Sequence, residues 1–402
     1  MKSCFSLVLA LALAVPAMAT TWYVETDGST GFSTIQSAID VAASGDTIRI
    51  GPGIYNQLHY LPPPLEEERA IVHIPLQDLT LIGSGRDATF VGFGRSWEAA
   101  WGYMRGIHSG HALGNQSLRI EDLCVRNVYD GLFSQEGGQL HVVNCRFYGS
   151  NTDAALYTPN PQPGDSMEFV DCIFEPSDIV SSSDHIWAHR QDLLIVRNCQ
   201  FRLEDLGADS HVLFSGRQAI IEGCEFYEGR VGISVGIVCD EIQVRDCLFD
   251  GQGYFGITSE TGVNSVEDCH FRNQFVAFLE NDYHGNVNWS VQRVTVENVS
   301  DSTFRFKSLG TGFISDSILA KGPTYVVRAY NIEKSARGIS YFDMTNNWWG
   351  TTESDSIQAW IYDGVDNPEI GGIIDYRGFK TEPLATERTS LGGLKALFKA
   401  SE

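Results

Sequence analysis

Six cysteines recur down the middle of this chain, each two residues before a phenylalanine: Cys145 and Phe147, Cys172 and Phe174, Cys199 and Phe201, Cys224 and Phe226, Cys247 and Phe249, Cys269 and Phe271. The gaps between the cysteines are 27, 27, 25, 23 and 22 residues. Repetition at this period marks a solenoid, in which each unit buries its apolar face only against its neighbours. A polar residue or glycine precedes each cysteine: Asn144, Asp171, Asn198, Gly223, Asp246 and Asp268. The polar–apolar alternation describes a short strand with Cys and Phe turned inward. Clusters such as Gly149-Ser150-Asn151 and Asp250-Gly251-Gln252-Gly253 break the chain between strands.

The frame extends upstream to Leu123, Leu79 and Ile48 and downstream to Val294, Ser317 and Asn347, giving about twelve coils. Each holds about three short strands and no helical period. An all-β coil of parallel strands is expected.

Before the coils, Lys2, the apolar run Leu7 to Val15 and Ala17-Met18-Ala19 have the order of a secretory signal over residues 1–19. Residues 20–47 are expected to form a strand and a capping helix. Ser33 is the N-cap, with Gln36 closing a capping box and Ile35, Ala38, Ile39 and Ala42 forming the apolar face. The coils occupy 48–350, a cap with a short helix and a last strand occupies 351–384, and 385–402 is a tail. No later apolar run is long enough to span a membrane. A secreted, extracellular or cell-surface protein is expected, with the periplasm as the alternative, and a monomer.

The run from Asp27-Gly28 through Phe32-Ser33-Thr34-Ile35-Gln36 to Gly51-Pro52-Gly53-Ile54-Tyr55 resembles the opening of right-handed parallel β-helix proteins of the pectin-lyase-like superfamily. The Asn-Cys-x-Phe coils resemble the same group. The resemblance covers roughly residues 21–384. It implies the right-handed parallel β-helix and leaves activity open, because one fold hosts many functions. Asn151-Thr152-Asp153, His284-Gly285 and Arg305-Phe306-Lys307 resemble fragments of polygalacturonases, but the adjacent Asp-Asp pair of that family is missing. Asn151 and His284 also lie five coils apart, roughly 24 Å at ~4.8 Å per coil, too far to flank one glycosidic bond. The catalytic segments of pectinesterases have no match.

Composition narrows the partners. With 51 acidic and 28 basic residues the formal charge is −23. No basic stripe exists for nucleic acid, and a polyanion would be repelled at long range. The cysteines suit an inward column of buried thiols, since Leu, Val and Ser take the same position elsewhere. Cys124 falls one residue out of frame and is expected to face outward; Cys239 lies in a turn-like stretch.

Two outer columns are candidates for function. One is the polar residue before each inward position, read as a turn or amide ladder, with Ca2+ as the alternative and no other cofactor or metal. The other is aromatic: Phe133, Tyr157, Trp187 and Phe214, expected outside on four successive coils as a sugar-binding strip. A covering loop or a one-residue slip of register would remove that strip. The function expected is binding of a polysaccharide or cell-surface glycan. A lyase or glycoside hydrolase on the outer strand face is the alternative, with His185, His189, Asp153 and Glu260 as acid–base candidates. A purely structural surface protein is the third reading.

Overall fold

The computed structural model describes residues 19–62, 68–75, 78–94, 103–110, 117–135, 137–158, 161–176, 184–203, 210–281, 287–307, 311–319, 321–329, 340–370 and 372–383. The expected signal up to residue 18, the tail, His284 and residues 63–67, 95–102 and 111–116 lie outside them. The chain is a right-handed parallel β-helix with three walls. One coil shows the plan. Gln139–Val143 lies on the first wall, Arg146–Tyr148 on the second and Thr152–Tyr157 on the third. Each strand pairs in parallel with its counterparts one coil before and one coil after.

The second wall is a sheet of ten strands. Isolated bridges Thr295–Ile318 and Ile318–Trp348 carry it two levels further. The first and third walls merge into one 24-stranded sheet, because three long strands, Asp184–Arg197, Ser210–Glu222 and Val231–Arg245, run from the third wall into the first.

The inward rows form one core. Phe147, Phe174, Phe201, Phe226, Phe249 and Phe271 share a row and are buried. Successive rings stack with centroids 4.5 to 5.0 Å apart. All eight described cysteines are free and buried. Within the column each thiol donates to the carbonyl two residues before it, as Cys199 Sγ does to Arg197 O at 3.3 Å. Burial pushes the thiols of Cys145, Cys199 and Cys247 well up.

The polar column has a backbone cause. Asp122, Asn144, Asp171, Asn198, Gly223, Asp246, Asp268, Arg293, Asp316 and Asn346 all take positive φ, between 50° and 65°. From Asp122 onward, each described first-to-second-wall corner turns through this left-handed residue. Gly, Asn and Asp reach that conformation at least cost. Asn144 Nδ2 also donates to Asp122 Oδ1 of the preceding coil at 2.6 Å, one rung of an amide–carboxylate ladder.

Several expectations are corrected. In the first two coils Ile48 and Leu79 sit on the first wall, level with Leu81 and Leu118. Gly53 and Thr89 begin the matching second-wall strands. Two long insertions, Leu58 to Arg69 and one between Leu79 and Leu123, hid the phase. The helix Ile35–Ile39 is capped by Thr34, whose Oγ1 accepts from Ser37 N at 3.2 Å, not by Ser33. Its Ile35, Ala38 and Ile39 join the core. Cys124 is level with outward Arg146, yet it is covered and 2% exposed, and burial raises its thiol to about 12. Trp349 is buried and joins the core near the C-terminal end, where the helix Ser354–Ala359 and the strand Gly372–Asp375 follow.

Candidate active cleft on the third wall

Third-wall strands set one outward row: His73, His108, Phe133, Ala155, Trp187, Leu213 and Ser234 are level on successive coils. A second row, where each of these strands begins, carries Arg105, Asp130, Thr152, Asp184 and Ser210. The coil Thr152–Tyr157 places small side chains in both rows, Thr152 and Ala155. The coils before and after it place Asp130 with Phe133 and Asp184 with Trp187. A dip of one coil's width results. It is a cleft of about 400 Å³ lined by Glu68, Tyr103, Arg105, Tyr129, Asp130, Phe133, Asn151, Thr152, Ala155, Asp184 and Trp187.

The polar groups of the cleft are mostly buried. Arg105 and Asp130 are each 7% exposed and Asp184 8%. Arg105 Nη1 lies 2.6 Å from Glu68 Oε2, while its Nε lies 3.6 Å from Asp130 Oδ2, beyond hydrogen-bond reach. The guanidinium rests on Phe133, its Cζ 3.4 Å from the ring centroid, and His108 stacks on the same ring at 5.6 Å. Burial raises the Asp130 carboxyl to about 7; Arg105 opposes this and Glu68 adds to it. Asp184 Oδ1 accepts from Ser210 N at 3.0 Å. Tyr103, 63% exposed, meets Tyr129 edge to face at 4.7 Å on the rim.

The aromatic strip expected from sequence is split. Phe133 and Trp187 face outward in one row. Tyr157 also faces outward, but one row further along, stacked on His189 at 5.5 Å. His189 in turn stacks on Trp187 at 5.9 Å. Phe214 is fully buried: it is level with inward Ala188, and Leu213 is level with Trp187. Val212-Leu213-Phe214 is apolar throughout, so alternation could not fix its phase, and Val212 is the inward residue opposite Ile186.

The acid–base candidates do not form one site on the outer face. Asp153 and His185 are buried among the core rings. His185 Nδ1 lies 2.5 Å from Asp153 Oδ2, its Nε2 2.8 Å from Arg202 O, and its ring stacks on buried His211 at 5.4 Å. Burial holds Asp153 above the usual carboxylate range, and it holds His211 well below the usual imidazole value. A polymer on the outside cannot reach this pair. Glu260 lies beyond the cleft, where its Oε1 accepts from Asn281 Nδ2 at 3.1 Å. His189 is outside and half-buried, and burial lowers its imidazole.

Sequence reasoning missed Glu68, Tyr103, Arg105, Tyr129, Asp130 and Asp184 as a group. A signal existed for two of them: Asp130-Gly131-Leu132 and Asp184-His185-Ile186 both put an aspartate two residues before an inward apolar residue.

A family model described as "Right handed beta helix region" matches residues 111–299, the segment that supplies Asp130, Phe133, Thr152, Asp184 and Trp187. No curated protein matches the chain. Among solved structures, the chain is similar to the catalytic unit of a thermostable GH87 alpha-1,3-glucanase from Streptomyces thermodiastaticus strain HF3-3. Identity is 13%, over 92% of this chain and 70% of that one, with a TM-score of 0.43. It is also similar to an alginate lyase from Paenibacillus sp. str. FPU-7, at 12% identity over 82% and 99% of the two chains and a TM-score of 0.38. A third is the A-module of the mannuronan C-5 epimerase AlgE6 of Azotobacter vinelandii, at 13% identity over 87% and 94% and a TM-score of 0.37.

Proposed function

We propose that this is an exported β-helix protein that binds a neutral glycan in the third-wall cleft. The observation that carries this reading is the pairing of Phe133 and Trp187 on either side of Ala155, above a floor of buried polar groups. Sugar rings combine apolar C–H faces with hydroxyls. A cleft of a few hundred cubic ångströms with aromatic walls and a few fixed polar groups suits both. Trp187 is the better platform, since Arg105 and His108 both lie against Phe133, whereas the stacked neighbour of Trp187 is His189 at 5.9 Å. Glu68, Asp130 and Asp184 outnumber Arg105 in the lining, and the whole chain is acidic, so a neutral polymer is favoured over a polyanion. The signal-like residues 1–19 support export.

The test is retention of the purified protein on insoluble and soluble neutral polysaccharides. Trp187→Ala is expected to weaken retention of the bound polymer by about tenfold or more. Tyr227→Ala, on the second wall, should leave it unchanged. Equal binding by Trp187→Ala would remove the cleft from consideration.

A further inference from the structure

We infer that the cleft hydrolyses the glycan it holds with inversion at the anomeric carbon, Asp130 acting as general acid and Asp184 as general base. This rests on the reading of the cleft as a glycan site. The geometry comes from the coil itself. Asp130, Thr152 and Asp184 are level on three successive coils, so the two aspartate backbones lie two steps apart, roughly 9.6 Å at ~4.8 Å per step. Both side chains line the one cleft. Side chains standing side by side in one row keep roughly that backbone spacing, close to the wide end of the ~6.5–9.5 Å that leaves room for a water and well beyond the ~5–5.5 Å of direct nucleophilic attack. The small Thr152 between them provides that room.

Asp130 has the setting of a general acid. Asp130 is deeply buried and pairs with Arg105 at 3.6 Å, and burial outweighs that pairing to raise its carboxyl to about 7. Arg105 is committed to Glu68 and to the face of Phe133. Asp184 is held in orientation by the Ser210 amide. In the reaction the Asp130 proton passes to the glycosidic oxygen, and the bond from that oxygen to the anomeric carbon breaks with its electron pair going to the oxygen. The water oxygen bonds to the anomeric carbon from the opposite side and its proton passes to Asp184. Solvent then returns a proton to Asp130 and takes one from Asp184, so the net change is addition of one water.

The experiment takes whichever neutral polysaccharide the full-length protein retains, incubates it with the protein, and follows new reducing ends and, by NMR, the anomer first released. Hydrolysis with inversion is expected. Asp130→Asn and Asp184→Asn should each lose about a thousandfold in turnover while still retaining the polymer, which also reports that they fold. A bound polymer left intact, a retained anomer, or full turnover by both variants would overturn the inference while leaving the binding reading in place. Failure to bind any neutral polymer would overturn the binding reading, and the hydrolysis with it.

Discussion

Phe249 and Phe271, on adjacent coils, stack with centroids 4.5 Å apart and planes 2° from parallel. They end a column of six such rings that fills the interior along the second wall. Each ring meets mainly the ring above and the ring below. Truncating one leaves a gap that rigid neighbours cannot close. Phe226→Ala is therefore expected to cost about 3–5 kcal/mol in denaturant unfolding. In hydrogen exchange the loss of protection should centre on the coils of Phe201 and Phe249 and fade toward both ends, because coils interact chiefly with nearest neighbours.

Asn198 tests the corner rule. Its φ is 52°, and the next coil uses Gly223 at the same place. Asn198→Ala should cost about 1–2 kcal/mol, the penalty for an ordinary side chain in the left-handed region. Asn198→Gly should cost less, because glycine carries no such penalty. Comparison of the two melting curves decides the matter: equal losses would place the effect in the lost side chain rather than in the backbone.

The eight buried thiols are expected to be silent in the native protein. A thiol reagent should modify fewer than about one of them before unfolding and all of them after it, since the thiolate is the reactive form and burial disfavours it. Mass spectrometry without reductant should find no disulfide among Cys124, Cys145, Cys172, Cys199, Cys224, Cys239, Cys247 and Cys269.

Asp130 makes stability depend on pH. Its folded value of about 7 lies above the ordinary 3.8. Between those values the folded protein keeps a proton that the unfolded chain releases, so its contribution falls as pH rises through that window. Arg105 offsets part of this and Glu68 adds to it. Asp130→Asn should flatten the fall in melting temperature between about pH 4 and about pH 7 relative to the parent protein. An unchanged slope would mean that Asp130 does not titrate there.

The coil was legible because its signal repeats. Cys and Phe two residues apart, six times over, leave no other phase for the second wall. Third-wall positions were harder to read, because the loop before each third-wall strand varies in length. Leu132-Phe133 alternates cleanly and was read with the right face outward. Val212-Leu213-Phe214 does not alternate, and there the reading slipped by one. The cleft was not legible as a unit. It depends on which coils stand side by side at Asp130, Thr152 and Asp184, and on Arg105 and Glu68 from coils whose frame insertions had obscured. Asp153 and His185 misled for a related reason: polar residues are expected outside, and here a hydrogen-bonded pair is satisfied inside the core.

The left-handed corner gives the molecule two different tolerances to change. From Asp122 onward each described coil begins its second wall with the same turn, filled by Asn, Asp, Gly or even Arg, so a whole coil there could be lost or duplicated and its neighbours would still find matching partners. The cleft has no such freedom. It is assembled from adjoining coils in a fixed order, with the slender one in the middle. A lineage that gained or lost a coil at Thr152–Tyr157 would keep its fold and abandon its chemistry.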